Sequence, residues 1–250
     1  MSGIVGVIPS RWGSTRFPGK SLALISGKPM VQWVVERVKQ AQRLDAVIVA
    51  TDDDRIAERV NGLNIPDVRI AMTRPEHPSG TDRIAEAVQD LDFDAVINVQ
   101  GDEPLIDPAL IDELADVIST GEWDMATAAT PIENAEQIND PSVVKALFNR
   151  RGQALYFSRA TIPHIREPEG VSSAGVYWRH IGVYAYRRDY LLKLVKEPVC
   201  ELENLEKLEQ LRALDMGCRM KVIKTRDFGI GVDTPADVAK AEELIKQLNQ

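Results

Sequence analysis

The sequence predicts an α/β domain: a doubly wound, mostly parallel sheet with an antiparallel insertion. Three observations carry this. Short apolar runs without polar alternation recur along the chain, as strands do when helices cover both faces. Amphipathic stretches with helix-start signals lie between them, and that alternation builds parallel units. From 139 to 188 it stops: aromatic and basic content rises, in "YFSRATIPHIREPEG" and "VYWRHIGVYAYRR", and strand patterns succeed one another without long helices.

The strands are expected at "IVGVIP" (Ile4 to Pro9), "AVIVAT" (Ala46 to Thr51), "AVINVQ" (Ala95 to Gln100) and, more weakly patterned, "MATAAT" (Met125 to Thr130). A helix over Met30 to Ala41 follows Pro29, which suits a first turn. A second, "DRIAEAVQDL", follows Ser79-Gly80-Thr81. A third follows Asp107 as N-cap, with Pro108 in its first position. After the insertion, "LENLEKLEQLRALDMG" reads as one helix: Leu202, Leu205, Leu208 and Leu211 recur every third residue and Gly217 caps the end. "MKVIKT", "FGIGVDTPAD" and an amphipathic helix close the chain. With no internal repeat, low-complexity run or linker, residues 1–250 read as one domain with 139–188 as an embedded subregion, a lid or a partner surface.

Composition narrows the function. At 44% hydrophobic and 27% charged, the chain has the balance of a soluble globular protein. No apolar run is long enough to span a bilayer, and "MSGIVGVIPS" lacks the basic flank of a secretory leader. Cys200 and Cys218 have neither metal nor redox spacing and are expected to be reduced in a cytoplasm. A net charge of −8 argues against nucleic acid as a partner. Any anion must be held by a local basic cluster.

"GSTRFPGKS" (Gly13 to Ser21) offers such a cluster. It resembles a phosphate-binding P-loop, but five residues rather than four separate its glycines, and Pro18 removes a backbone donor. A P-loop helix starts at its Gly-Lys-Ser. Here "SLALISGKP" is broken by Gly27 and Pro29, so no helix can begin there. What remains is a glycine-containing loop after a strand, carrying Arg11, Arg16 and Lys20, with Gly13, Ser14 and Thr15 able to bring amides to an anion. That is where open α/β sheets bind ligands. A solvated basic loop fits these residues equally well.

Two carboxylates stand at comparable places. In "NVQGDEP" the strand runs out at Gln100, Gly101 bends the chain, and Asp102 suits Mg²⁺, which takes one or two protein carboxylates and leaves its other positions to phosphate and water. Asp102 also suits a plain turn. In "GVDTPAD" Thr234, Pro235 and Asp237 complete a helix cap without Asp233. Asp233 is then a second metal ligand or a solvated acid near a helix dipole. In "HPSGTDRIAE" Ser79 can cap the helix, whose first amides can also face a base or a phosphate.

"IPSRWGSTRFPGK", "HPSGTDRIAE", "INVQGDEPLI", "ALYFSRATIP", "RHIGVYAYRR", "LEKLEQLRAL" and "GVDTPAD" occur in one order across nearly the whole chain. Together they resemble the 3-deoxy-manno-octulosonate (Kdo) cytidylyltransferases, which transfer CMP from CTP to Kdo and release pyrophosphate. The resemblance implies a Rossmann-like sheet of the nucleotide-diphospho-sugar transferase type, a cytoplasmic homodimer, and a role in lipopolysaccharide biosynthesis. It implies that Arg11 and Lys20 hold the triphosphate, that Ser14, Ser79 and Gly80 contact the nucleotide, and that Asp102 and Asp233 hold Mg²⁺. It places Gln100, Arg159, His180, Tyr184, Glu209 and Gln210 around the sugar. Arg159 suits the Kdo carboxylate, though it can also pair with an internal acid. His180 is read as a cation or a donor, Tyr184 alternatively as packing, and Glu209 as an exposed helix residue. No residue stands out as a general base; phosphoryl-type transfer is mostly positioning and electrostatics.

Ser10 stands where Ala is common in the family and Asp82 where Glu is common. Both leave open whether the sugar is Kdo or a relative such as its 8-amino analogue. A catalytically silent nucleotide-binding regulator is the rival from another class. Loss of Lys20, Asp102 or Asp233 would have favoured it, and all are present.

Overall fold

A computed structural model of the chain describes residues 3–13, 17–167, 175–226, 229 and 231–248. β1 (Ile4–Ser10) runs into a loop that ends in a 3₁₀ turn at Lys20–Leu22. A short hairpin, β2 (Leu24–Ile25) and β3 (Lys28–Pro29), leads to α1 (Met30–Val38). Then come β4 (Ala46–Thr51), α2 (Asp54–Asn61), β5 (Val68–Met72), α3 (Gly80–Val88), β6 (Ala95–Asn98), α4 (Pro108–Ser119) and β7 (Met125–Pro131). α5 (Ala135–Asn139) precedes the antiparallel strands β8 (Lys145–Phe148), β9 (Ala154–Ser158) and β10 (Trp178–Arg187). α6 (Arg188–Leu194), α7 (Glu201–Glu206), α8 (Gln210–Asp215), β11 (Met220–Lys224) and α9 (Pro235–Leu248) complete the chain.

The main sheet has the order β11-β7-β10-β6-β1-β4-β5. β10 alone on this path is antiparallel to its neighbours. It lies between β6 and β7 and carries β8 and β9 at its far end. The insertion is therefore woven into the centre of the sheet. β1 has β4 on one side and β6 on the other, so the strand order reverses there and opens a crevice at the carboxyl ends of β1 and β6.

Pleating sorts the strand side chains onto two faces. Ile4 and Ile8 join Val31, Val34 and Val35 of α1, Ile56 of α2 and Leu110 and Leu114 of α4. Val5 and Val7 join Ile84 and Val88 of α3, Leu191 of α6 and Leu211 of α8. Each fully buried Val, Ile or Leu contributes about 1.5–3 kcal/mol. The caps follow the residues: Asp107 accepts from Ala109 N with Pro108 in the first turn, and Ser79 accepts from Asp82 N. A third cluster joins Ile25, Met30, Val232, Ala241 and Ile245, clamping α9 onto the β2–β3 hairpin.

Two expectations need correction. α1 stops at Val38 rather than Ala41, and the single helix over 202–217 is two. Lys207, with φ 54° and ψ 49°, breaks it into α7 and α8. Leu202 and Leu205 are exposed while Leu208 and Leu211 are buried. A step of three residues turns about 300° around a helix, so leucines at that spacing drift to the opposite face within nine residues. Gly217, at φ 78°, does end α8 as expected. α2 and β5 were not foreseen. Among the described residues no helix is long and apolar enough to cross a membrane.

Candidate active site

The crevice at the end of β1 is held open by a loop closed on itself. Gly19 N donates to Trp12 O at 3.2 Å, and Ser10 Oγ to the buried Ser21 Oγ at 2.8 Å. Gly19 sits at φ 68°, and a Cβ there would lie 2.9 Å from the Trp12 ring, so the position requires glycine. This turn aims Lys20 inward. Its Nζ lies 2.6 Å from Asp102 Oδ2 and 3.0 Å from Asp233 Oδ1. As expected from the break at Gly27 and Pro29, only the 3₁₀ turn at Lys20–Leu22 forms there, and no α-helix begins until Met30.

Asp102 is placed by Gly101, which packs so tightly on β1 that a Cβ would stand 2.6 Å from Pro9 O. Asp233 is placed by Val232, whose side chain is fully buried in the α9 cluster and whose N–H donates to Asp102 O at 2.8 Å. Asp237 Oδ2 takes the Thr234 N–H and hydroxyl, at 3.0 and 2.8 Å. The cap is thus filled and the Asp233 side chain is left to Lys20. Burial works to lower the Lys20 pKa, but Asp102 and Asp233 outweigh it and hold the group above the ordinary lysine value. Lys20 is an ammonium at neutral pH.

These residues line a cavity of about 280 Å³ together with Arg11, Ser79 and Gly80. The Ser79 hydroxyl serves the helix cap and also donates to Asp82 Oδ2 at 2.7 Å. Ser14 lies outside the described residues. Among those described, no cluster of three or more His, Cys, Asp or Glu is poised for a metal. Asp102 and Asp233 nevertheless present oxygens to one cationic position, now taken by the Lys20 ammonium. A two-carboxylate cradle beside a phosphate-sized cavity fits Mg²⁺.

A second cavity, of about 260 Å³, adjoins the first through Gly80, Gln100 and Glu209. His180, Tyr184 and Gln210 line it. Thr81 Oγ1 donates to Glu209 Oε2 at 2.6 Å, fixing the acid at the junction. Gln210 Nε2 is buried in the wall without a partner among the described residues. His180 stacks edge-on against Phe157 and meets Thr127 Oγ1 at 2.9 Å. Burial first, and Arg179 second, push its pKa down to about 3. Of the two roles read from the sequence, the cation is excluded: His180 is a neutral hydrogen-bonding group. Burial also raises the Tyr184 phenol well above its ordinary value, so it too is neutral.

Arg159 lines neither cavity. Its Nε donates to Glu206 O at 2.7 Å and its Nη1 to Pro141 O at 3.0 Å, while its backbone N–H meets Glu206 Oε2 at 2.9 Å. It ties β9 to the end of α7. Sequence reasoning missed buried cations, among them Lys145, whose Nζ donates to Asp140 O, Val143 O and Arg159 O, and Arg83, paired with Asp52. Both sit at positions that pattern reading assigns to apolar residues.

Residues 5–223 match the family described as Cytidylyltransferase. A 3-deoxy-manno-octulosonate cytidylyltransferase from Syntrophotalea carbinolica is 48% identical, covering 98% of this chain and 99% of the relative. The chain belongs to the 3-deoxy-manno-octulosonate cytidylyltransferase family. An 8-amino-3,8-dideoxy-manno-octulosonate cytidylyltransferase from Shewanella halifaxensis is also 48% identical, over 94% of this chain and 96% of the relative. The solved structure of CMP:2-keto-3-deoxy-manno-octonic acid synthetase complexed with CTP superposes with a TM-score of 0.92 at 41% identity, covering 99% of this chain and 100% of that one. The family's Rossmann-like sheet is the one described above.

Proposed function

We propose that this protein activates Kdo by transferring CMP from CTP to its anomeric hydroxyl, with pyrophosphate as the second product. The observation that carries this is the pair of joined cavities. One holds Arg11, Lys20, Asp102 and Asp233 beside the α3 N-terminus, and the other is a hydrogen-bonding chamber with His180, Tyr184 and Gln210 on its wall beside the charged residues Lys207, Glu209 and Arg212. The named relatives and the CTP-bound neighbour support the substrates.

Arg11 and Lys20 hold the triphosphate and offset the charge that builds on the departing pyrophosphate. Ser79 and Gly80 face the nucleoside. Asp102 and Asp233 would hold Mg²⁺, and Lys20, which they now hold, would serve the phosphates. The ion would supply charge neutralisation and acidify the attacking hydroxyl. Gln100 and Glu209, at the junction, orient the anomeric carbon toward the α-phosphorus. His180, Tyr184 and the orphaned Gln210 amide satisfy sugar hydroxyls. Arg159 acts on the sugar chamber indirectly, by anchoring the segment that ends in Glu209. The Shewanella relative makes the 8-amino analogue a second reading of the acceptor.

The protein is further proposed to be a cytoplasmic homodimer. Both cysteines are free thiols, as a reducing compartment keeps them. Within the insertion Phe157, Tyr177 and Tyr186 are buried, so its exposed part, with Leu155 on β9, is what it can offer a partner. β9 pairs only with β8 among the described strands, and Leu155, Val199, Leu202 and Leu205 are exposed on it and around α7. The Ser158–Glu206 hydrogen bond joins these elements. Pyrophosphate release with CTP or UTP, with and without Kdo and Mg²⁺, tests the reaction. Release that needs CTP, Kdo and Mg²⁺ together supports it; release from UTP at an equal rate overturns it.

A further inference from the structure

The nucleotide cavity is bounded by two pieces of chain remote in sequence: the loop with Arg11 and Lys20, and the start of α3 with Ser79 and Gly80. Between them stands an ion pair whose cation, Arg83, is also part of the cavity wall. Arg83, in the first turns of α3, is 2% exposed, a burial that guanidinium groups rarely reach. Its Nη2 lies 2.9 Å from Asp52 Oδ2, just past β4, and its Nη1 donates to Thr73 Oγ1, just past β5. The other Asp52 oxygen accepts the backbone N–H of Trp12 at 3.2 Å. Trp12 is the residue on which the loop closes. Its carbonyl takes the Gly19 N–H, its ring fills the space beside Gly19, and the Arg55 guanidinium covers that ring at 3.3 Å.

A continuous path therefore runs from α3 through Arg83, Asp52 and Trp12 to Gly19, next to Lys20. Stability does not require a charge pair here. Desolvation offsets most of the attraction of buried ions, and apolar residues of similar volume serve a core as well. What the pair supplies is fixed geometry between two chain segments that each hold one end of the ligand. We propose that Arg83 is a positioning residue that acts through Asp52. It sets the loop of Arg11 and Lys20 at the correct distance from the nucleoside end of the cavity, so that a nucleotide held by α3 meets its phosphate donors already in place. This rests on reading the cavity as the CTP site.

The test is calorimetric binding of CTP and of CMP, with Mg²⁺ and without sugar, to the full chain and to two variants. Asp52→Asn keeps the shape and removes the charge. Asp52→Asn/Arg83→Gln removes both charges and leaves neither buried alone. The loop serves the outer phosphates, so CTP binding is expected to weaken at least tenfold in both variants while CMP binding stays within threefold. A structural role would weaken both ligands alike. Equal weakening of CTP and CMP, no weakening of either, or failure of both variants to fold would overturn the proposal. Failure of the unsubstituted protein to bind CTP would instead defeat the reading of the cavity.

Discussion

Asp102→Asn preserves the shape of the side chain and removes one of two carboxylates from the cation cradle. Asp102 lies 2.6 Å from Lys20 Nζ and its side chain is 27% exposed. A pair of unit charges near a protein surface interacts by about 4 kcal/mol at a separation of about 4 Å, and partial exposure screens some of that. A loss of about 3–4 kcal/mol in transition-state stabilisation corresponds to about 10²–10³ in kcat/KM, at about 1.4 kcal/mol per tenfold. Folding is expected to suffer far less. Lys20 keeps Asp233 at 3.0 Å, so the free protein loses about 1 kcal/mol, or about 2–4 °C in Tm for a chain of this size. Initial rates of pyrophosphate release across a Mg²⁺ titration, beside a thermal melt, measure both. Turnover within about fivefold of the unsubstituted protein at ordinary Mg²⁺ would refute the cradle. A melt lowered by more than about 10 °C would show that the residue is structural instead.

Arg159→Ala frees the end of α7 and is expected to raise the KM for Kdo at least tenfold while CTP binding by calorimetry stays within threefold; equal damage to both would merge the two sites. Gly101→Ala sets a Cβ against Pro9 O and shifts Asp102, so kcat is expected to fall at least tenfold; normal kcat would show that the strand ends are slack. His180, with its pKa near 3 in the fold against about 6.5 in the unfolded chain, gives the unfolded state the extra proton between those values. Stability is therefore present above pH about 6.5 and falls as acid is added toward pH about 3, and His180→Gln is expected to flatten that slope in denaturant titrations. Leu205→Glu is expected to shift sedimentation from dimer toward monomer, and an unchanged dimer would move the interface elsewhere.

The parallel framework was legible because the strand cores are largely apolar on both faces and because Ser79 and Asp107 mark the starts of α3 and α4 as caps. The position of Asp102 could be read from a strand that ends in Gln-Gly-Asp, and the rejection of a P-loop from Gly27 and Pro29 alone. Asp233 was legible as a residue left over once Thr234 and Asp237 had filled the cap, but only the fold brings it to Lys20. The site of β10 was not legible, since its partners β6 and β7 are chosen by long-range pairing. Nor was the fate of Arg159: its residue type suits a carboxylate, whereas its neighbours offer it the carbonyls of Glu206 and Pro141. Arg83 and Lys145 escaped because a buried cation has no pattern of its own. Each is recognised only when its oxygens are in view.

The central claim is that the paired cavities join CTP to Kdo. The most direct measurement is kcat/KM for CMP transfer, with the product identified by mass, for Kdo and its 8-amino analogue in parallel at saturating CTP and Mg²⁺. The account predicts CMP-Kdo as the product and a higher kcat/KM with Kdo. Transfer to the 8-amino analogue alone would move the protein to the other branch of its family, and no transfer to either sugar would contradict the account.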